Sequence, residues 1–82
     1  MEKQRITVRV AGKEYTLVSS DGAEHLSRVA AYVDRQITET QFAARTSKEN
    51  AAVLAALNLA DELMKARDEN ARLRRELASR QQ

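Results

Sequence analysis

Residues 6–18 read ITVRVAGKEYTLV, and this stretch predicts a β-hairpin. Apolar and polar residues alternate on both sides of a central glycine–lysine pair, as they do in strands that bury one face. Two strands alone are only marginally stable in water. The hairpin therefore needs a helix packed against its apolar face.

The predicted turn sets the register of the two strands. A two-residue loop of Gly12-Lys13, with glycine first, favours a type II′ turn. This turn places Val10 opposite Tyr15 and Val8 opposite Leu17. All four side chains then lie on one face, so turn chemistry and apolar pattern agree.

A first helix is predicted over residues 21–40. Asp21 followed by Glu24 is a candidate capping box, and Ser20 is the alternative cap. Beyond the cap, apolar residues recur every three or four positions and form one stripe. They are Leu26, Val29, Ala30, Val33 and Ile37.

A second helix is predicted from residue 46 to the end of the chain. Thr46 and Glu49 have the spacing of a capping box, and nothing between them and Arg80 would stop a helix. Such a helix is about 50 Å long, too long to lie on so small a head. We expect it to project and to find a partner helix.

This helix has the heptad pattern of a coiled coil. The core positions a and d are Ala52, Ala56, Leu59, Leu63, Ala66, Asn70, Leu73, Leu77 and Arg80. A single core asparagine favours two strands in fixed register. In a parallel pair Glu62 meets Arg67 and Glu69 meets Arg74, whereas an antiparallel pair sets like charges together. The pattern predicts a parallel homodimer.

These elements define an α+β chain with two predicted regions. A globular head over residues 1–45 holds the hairpin (6–18) and the first helix (21–40). The long helix occupies residues 46–82. Its upper part carries a second apolar strip beside the core positions, formed by Val53, Leu57, Ala60 and Met64. We expect residues 51–64 to contact both the head and the partner helix.

Two single residues carry further expectations. Phe42 is expected to pack at the junction between the two helices. Asn58 lies beside buried positions and is expected to be a hydrogen-bonded amide that ties the head to the second helix.

Composition excludes several classes of function. There are 14 Lys+Arg and 12 Asp+Glu, giving a net charge of +2, so bulk charge does not indicate a nucleic acid or a membrane as partner. With no Cys and 1 His we expect no disulfide, metal or cofactor. No phosphate loop or catalytic constellation is present, so we expect no enzyme. The N-terminus is unlike a secretory signal, and no stretch has membrane-spanning length, which predicts a cytoplasmic protein.

The motifs together resemble a known family. The hairpin carries Val8, Val10, Gly12 and Tyr15. The first helix reads VAAYVD over residues 29–34, and the second reads AALNLADEL over residues 55–63. This pattern resembles the ZapA family of bacterial cell-division proteins, in a short form, over essentially the whole chain.

The resemblance implies a non-enzymatic scaffold. ZapA-like proteins bind the tubulin-like GTPase FtsZ and form homodimers, and two dimers join into a tetramer. Their heads cross-link FtsZ protofilaments and promote a coherent Z-ring at midcell. In this sequence the shortened tail leaves fewer heptads for tetramer packing.

The resemblance also implies a binding surface for FtsZ near the hairpin turn and the start of the long helix. By position the matching residues are Lys13, Arg45, Lys48 and Glu49, of which Lys48 matches less well. The alternative is that each is a solvated surface charge, and that Glu49 completes the capping box.

Two other functions fit parts of the sequence. A ribbon-helix-helix DNA-binding dimer would use Thr7 and Arg9 on the polar face of the first strand. The returning hairpin, the long helix and the low net charge argue against it. A coiled-coil adaptor for another partner differs from the ZapA interpretation only in the partner.

Overall fold

The structure of the protein is a computed structural model, and it describes residues 2–80. The elements in chain order are β1 (Gln4–Val10), β2 (Lys13–Ser19), α1 (Ala23–Ala44) and α2 (Lys48–Arg80). The two strands form an antiparallel sheet. The predicted α+β architecture, a hairpin followed by two helices of which the second is long, is confirmed.

The turn between the strands differs from the predicted one. Its central residues are Ala11 and Gly12, with φ values of 54° and 82°. Positive φ at both central positions is the signature of a type I′ turn, whose twist matches that of the flanking strands. The prediction of a type II′ turn at Gly12-Lys13 is therefore wrong by one residue.

This displacement changes the strand register but not the faces. Tyr15 pairs with Val8, and Leu17 pairs with Ile6. The predicted pairs Val10–Tyr15 and Val8–Leu17 are wrong. Moving the turn by one residue moves every partner by two positions, and side chains alternate with a period of two. The apolar residues consequently stay together on one face.

Two small clusters of buried side chains form the core. In the first, Ile6 and Val8 of β1 pack with Ala30 of α1. In the second, Ile37 of α1 packs with Ala51 and Ala55 of α2. Val10 contacts both clusters and joins them. Strand β2 has no buried residue, so its apolar side chains stay open to solvent in a single chain.

Helix α1 begins and ends later than predicted. Gly22 is the N-cap and makes no side-chain capping bond, so neither Asp21 nor Ser20 caps this helix. Instead the backbone N–H of Asp21 donates to Ser19 Oγ at 3.0 Å. At the other end Arg45 adopts the left-handed conformation, and its N–H donates to the carbonyl of Gln41.

Helix α2 begins at Lys48, with a cap one residue from the predicted one. Ser47 Oγ accepts a hydrogen bond from the N–H of Asn50 at 3.2 Å, which is the N-cap geometry. Thr46 Oγ1 accepts from the Asn50 side-chain amide at 3.1 Å. The predicted Thr46–Glu49 capping box is wrong, because the adjacent Ser47 takes the capping position.

Helix α2 projects beyond the head. Its 33 residues span about 50 Å, as predicted, and the molecule extends 53 Å along its longest axis. From Ala60 to Arg80 every described residue is exposed. None of the helices among residues 2–80 is long and apolar enough to cross a membrane.

Candidate partner-binding surface

Three of the four residues matched to FtsZ binding lie in one groove. The groove is formed by the hairpin turn and the first turns of α2, and we call it the turn groove. Its lining residues are Ala11, Lys13, Tyr15, Lys48, Glu49 and Ala52. The approach of the two elements is close, since a Cβ added at Gly12 would lie 3.5 Å from Lys48 Nζ.

The hairpin turn is held in place by α1. The N–H of Ala11 donates to Asp34 Oδ1 at 2.7 Å, in a partly buried position. Ala11 also packs against the cluster of Ile37, Ala51 and Ala55. The turn that precedes Lys13 is thus fixed to both helices.

The second side of the turn groove is fixed by the start of α2. The Ser47 cap sets the backbone of the first turn, where Lys48 and Glu49 lie. Residues carried by such fixed elements lose little backbone conformational entropy when a partner binds.

The turn groove has a positive character. Lys13 and Lys48 lie at the N-terminus of α2, where the helix dipole adds partial positive charge. Glu49 is the acidic side chain of this groove. The ion pairs within 4 Å in residues 2–80 join Lys65 to Asp61 and Arg72 to two glutamates. The three charged side chains of the turn groove therefore take part in none of them. The groove is suited to an acidic surface.

Arg45 lies in a different groove. We call it the junction groove, and its lining residues are Thr38, Gln41, Phe42, Arg45 and Thr46. The φ and ψ of Arg45 are 52° and 54°, a conformation that glycine adopts without strain and most other residues avoid. The structure therefore brings Lys13, Lys48 and Glu49 together and leaves Arg45 beside them, across the turn between the helices.

The predicted core positions of the coiled coil are open to solvent in the single chain. Leu59 is half-buried, whereas Leu63, Leu73 and Leu77 are exposed. Ala56, Ala66, Asn70 and Arg80 are exposed as well, whereas Ala52 is half-buried and packs against the cluster of Ile37, Ala51 and Ala55. An apolar seam thus runs down α2 without a covering element of the same chain.

The charged flanks of this seam form ion pairs within the helix. Arg72 donates to Glu69 and Glu76, one turn away on either side. The hydrogen bond with Glu69 is the main cause of the raised pKa of Arg72, and Glu76 adds to it. The hydrogen bond with Asp61 is likewise the main cause of the raised pKa of Lys65.

Two expectations about single residues are wrong. Phe42 does not pack at the helix junction, since 85% of its surface is exposed. A signal for this was present in the sequence: Phe42 is five residues from Ile37, about 140° around the helix from the buried stripe. Asn58 is exposed and is not a buried amide.

The comparisons with known proteins agree with this architecture. A family model described as "Cell division protein ZapA" matches residues 6–82. The chain belongs to the ZapA family. The resemblance carried by the hairpin and the AALNLADEL segment is thereby confirmed.

Individual relatives span nearly the same length. The cell division protein ZapA of Geobacillus kaustophilus is 37% identical over 76 residues, which cover 92% of this chain and 84% of the relative. The ZapA of Shouchella clausii is 39% identical over 64 residues, which cover 77% of this chain and 82% of the relative. The names of these ZapA relatives refer to cell division and to no catalytic activity.

A solved structure has the same fold. A ZapA mutant dimer from Geobacillus stearothermophilus matches with a TM-score of 0.78 and 35% identity. The match covers 94% of this chain and 91% of that one. The match therefore includes most of the long second helix.

Proposed function

We propose that this chain is a non-enzymatic cell-division protein that binds FtsZ and cross-links its protofilaments. In this role it promotes assembly and stability of the Z-ring, in the cytoplasm at midcell. Membership of the ZapA family is the observation that carries the proposal. Two features of the structure support it: an uncovered apolar seam for a second copy and a positive groove for a partner.

Cross-linking requires at least two heads in one particle. The apolar side chains along α2, among them Leu63, Leu73 and Leu77, are open in the single chain. Pairing with a second α2 in a parallel coiled coil would bury them. Two heads on one rigid spacer bind neighbouring filaments with greater avidity than either head alone. The coiled coil is therefore the element that makes bundling possible.

The same dimer would cover apolar side chains that are open on β2 and on the first half of α2. Tyr15 and Leu17 on β2 are exposed, and so are Val53 and Leu57 on α2. Residues 51–64 would contact the head on one side, where Ala51 and Ala55 pack against Ile37, and the partner chain on the other. In this dimer Glu62 would pair with Arg67, and Glu69 with Arg74, across the two chains. Two such dimers would form the tetramer.

Lys13, Lys48 and Glu49 in the turn groove, with Arg45 across the helix junction, are the proposed contacts for FtsZ. An Arg in the left-handed conformation is informative here. The conformation costs about 1–2 kcal/mol for a residue with a Cβ, and glycine would remove this cost. Strained residues of this kind cluster at functional sites. We assign the strain at Arg45 to a role of its side chain in binding.

Co-sedimentation with FtsZ polymerised in GTP tests the proposal, with light scattering to measure bundling. The protein is expected to pellet with the filaments and to increase the scattering. The double variant Lys13→Glu/Lys48→Glu should lose most of this binding, because it reverses two charges of the turn groove. Binding should also weaken as salt is raised, because salt screens exposed charges.

Lys3→Glu is the control, since it makes one such Lys→Glu reversal at an exposed lysine before β1. This variant should bind like the unchanged protein. If the unchanged protein does not pellet with FtsZ at any salt concentration, the proposed function is wrong. If it pellets and the double variant pellets equally well, the contact surface lies elsewhere on the head.

A further inference from the structure

Phe42 is the most exposed of the large apolar side chains in the described part of the chain. Its exposed fraction of 85% exceeds the 64% of Val18 and the 62% of Leu57. An exposed phenylalanine leaves a large apolar area in contact with water, at about 25 cal/mol for each Å². Such a side chain stabilises nothing in the single chain and is available for a partner.

Phe42 is separated from the surfaces that the proposed homodimer would cover. The buried stripe of α1 faces β1 and α2 through Ala30 and Ile37. Phe42 lies about 140° around the helix from Ile37. The coiled-coil seam and the open face of β2 belong to other elements, so pairing along these two surfaces would leave Phe42 available to a different partner.

Phe42 and Arg45 lie together in the junction groove. Aromatic residues, phenylalanine among them, and arginine are enriched at protein interfaces relative to the rest of the surface. Arg45 makes no ion pair within 4 Å among residues 2–80, and its backbone is held in the left-handed conformation. Both side chains are therefore exposed in the same groove, and Arg45 is free to pair with a carboxylate of a partner.

We infer that Phe42 is the apolar anchor of the filament-binding surface and that Arg45 is its polar companion. The inference rests on the proposed function, and it extends the binding surface from the turn groove across the helix junction. It also specifies the partner's chemistry: an apolar pocket for the phenyl ring with a carboxylate at its rim. The lysines of the turn groove would then attract an acidic surface, and Phe42 would supply the desolvated contact.

A second copy of this chain fits the junction groove less well. In a two-fold symmetric contact the same residues meet on both sides. A contact centred on Phe42 would bring the two Arg45 side chains together, with no carboxylate among the lining residues of the junction groove to separate them. Like charges in contact oppose association. The charge of the groove favours an acidic partner over self-association.

The test measures binding of Phe42→Ala and Phe42→Leu to FtsZ filaments by co-sedimentation over a range of filament concentrations. Val18→Ala is the control, because it also removes apolar atoms from a highly exposed residue, but on the hairpin and away from the junction groove. Phe42→Ala should weaken binding about tenfold or more, the effect of removing an interface anchor. Phe42→Leu should bind at an intermediate level, and Val18→Ala should bind like the unchanged protein.

Thermal unfolding and sedimentation equilibrium of the same variants complete the design. Because Phe42 is exposed, both variants should keep the melting temperature and the oligomeric mass of the unchanged protein. If the unchanged protein pellets with FtsZ and Phe42→Ala pellets equally, the inference is wrong while the proposed function stands. A lower oligomeric mass for Phe42→Ala would place Phe42 in a self-interface and would also overturn it. If the unchanged protein fails to pellet, the proposed function fails first.

Discussion

At the scale of the residue, the backbone conformation of Arg45 lowers the stability of the fold, while its side chain is a proposed contact for FtsZ. Its φ of 52° places a side chain where glycine is preferred. Arg45→Gly should therefore raise the free energy of unfolding by about 1 kcal/mol, measured by urea denaturation, while binding to FtsZ falls. Arg35→Gly is the control within α1: there glycine should lower stability by about 1 kcal/mol. A variant Arg45→Gly that is less stable than the unchanged protein would argue against strain at this position.

Asp34 is the residue on which the geometry of the turn groove depends. Its carboxylate accepts a hydrogen bond of 2.7 Å from the N–H of Ala11. Asp34→Ala leaves this partly buried donor without its partner and should cost about 1–3 kcal/mol. Asp34→Asn keeps an acceptor oxygen and should cost less. Chemical denaturation of the two variants measures the difference, and equal losses would show that the hydrogen bond is not the cause.

At the scale of the element, the sequence was sufficient for the type of each segment but not for its ends. The hairpin was predictable because alternation survives a register change of two residues, and for the same reason alternation does not discriminate between the two turns. The position of the turn depends on the backbone of Ala11, an alanine at positive φ that residue preferences disfavour. The alternation of apolar and polar residues therefore could not predict the position of the turn.

The helix caps show the same limit. Thr46 and Ser47 are adjacent and have equivalent capping chemistry, so one residue of displacement leaves the pattern unchanged. The end of α1 was placed at residue 40 because apolar periodicity fades there, yet the helix continues to Ala44. Its last turn exposes Phe42, and helical spacing alone would have indicated that exposure. Grouping Lys13 with Lys48 and Glu49 required the family resemblance, since these residues are distant in the sequence.

The charged flanks of α2 add a competition that heptad assignment does not show. Arg72 already binds Glu69 and Glu76 within its own helix. In the proposed dimer Arg74 of the other chain would compete with Arg72 for Glu69. Glu62 has no ion-pair partner within 4 Å among residues 2–80, so it meets no such competition. An exposed ion pair contributes about 1 kcal/mol or less, so competition within the helix can cancel it. Glu62 would therefore contribute more than Glu69 to the preference for a parallel orientation.

At the scale of the whole molecule, one chain supplies only part of a core. The buried side chains among residues 2–80 are Ile6, Val8, Ala30, Ile37, Ala51 and Ala55, and three of them are alanines. A domain of this size removes only about 60% of its unfolded surface from water even when it is compact. Here one face of the hairpin and most of α2 stay open. We therefore attribute much of the stability of the functional protein to the proposed second chain.

Leu63→Ala tests this dependence and separates binding from bundling. Leu63 is a predicted core position of the coiled coil and is exposed in the single chain. Its truncation should cost about 2–5 kcal/mol for each buried copy. With two copies in the dimer the minimum is about 4 kcal/mol, which weakens dimerisation by about 1,000-fold or more in sedimentation equilibrium. Lys65→Ala, at an exposed position one half-turn away, is the control and should leave the mass unchanged. At concentrations where the Leu63→Ala protein is monomeric and its circular dichroism shows that the head is folded, a single head should still bind FtsZ. It should not increase light scattering, because bridging requires two heads. Bundling by a monomeric Leu63→Ala protein would contradict the requirement for the coiled coil, and an unchanged mass would contradict the placement of Leu63 in it.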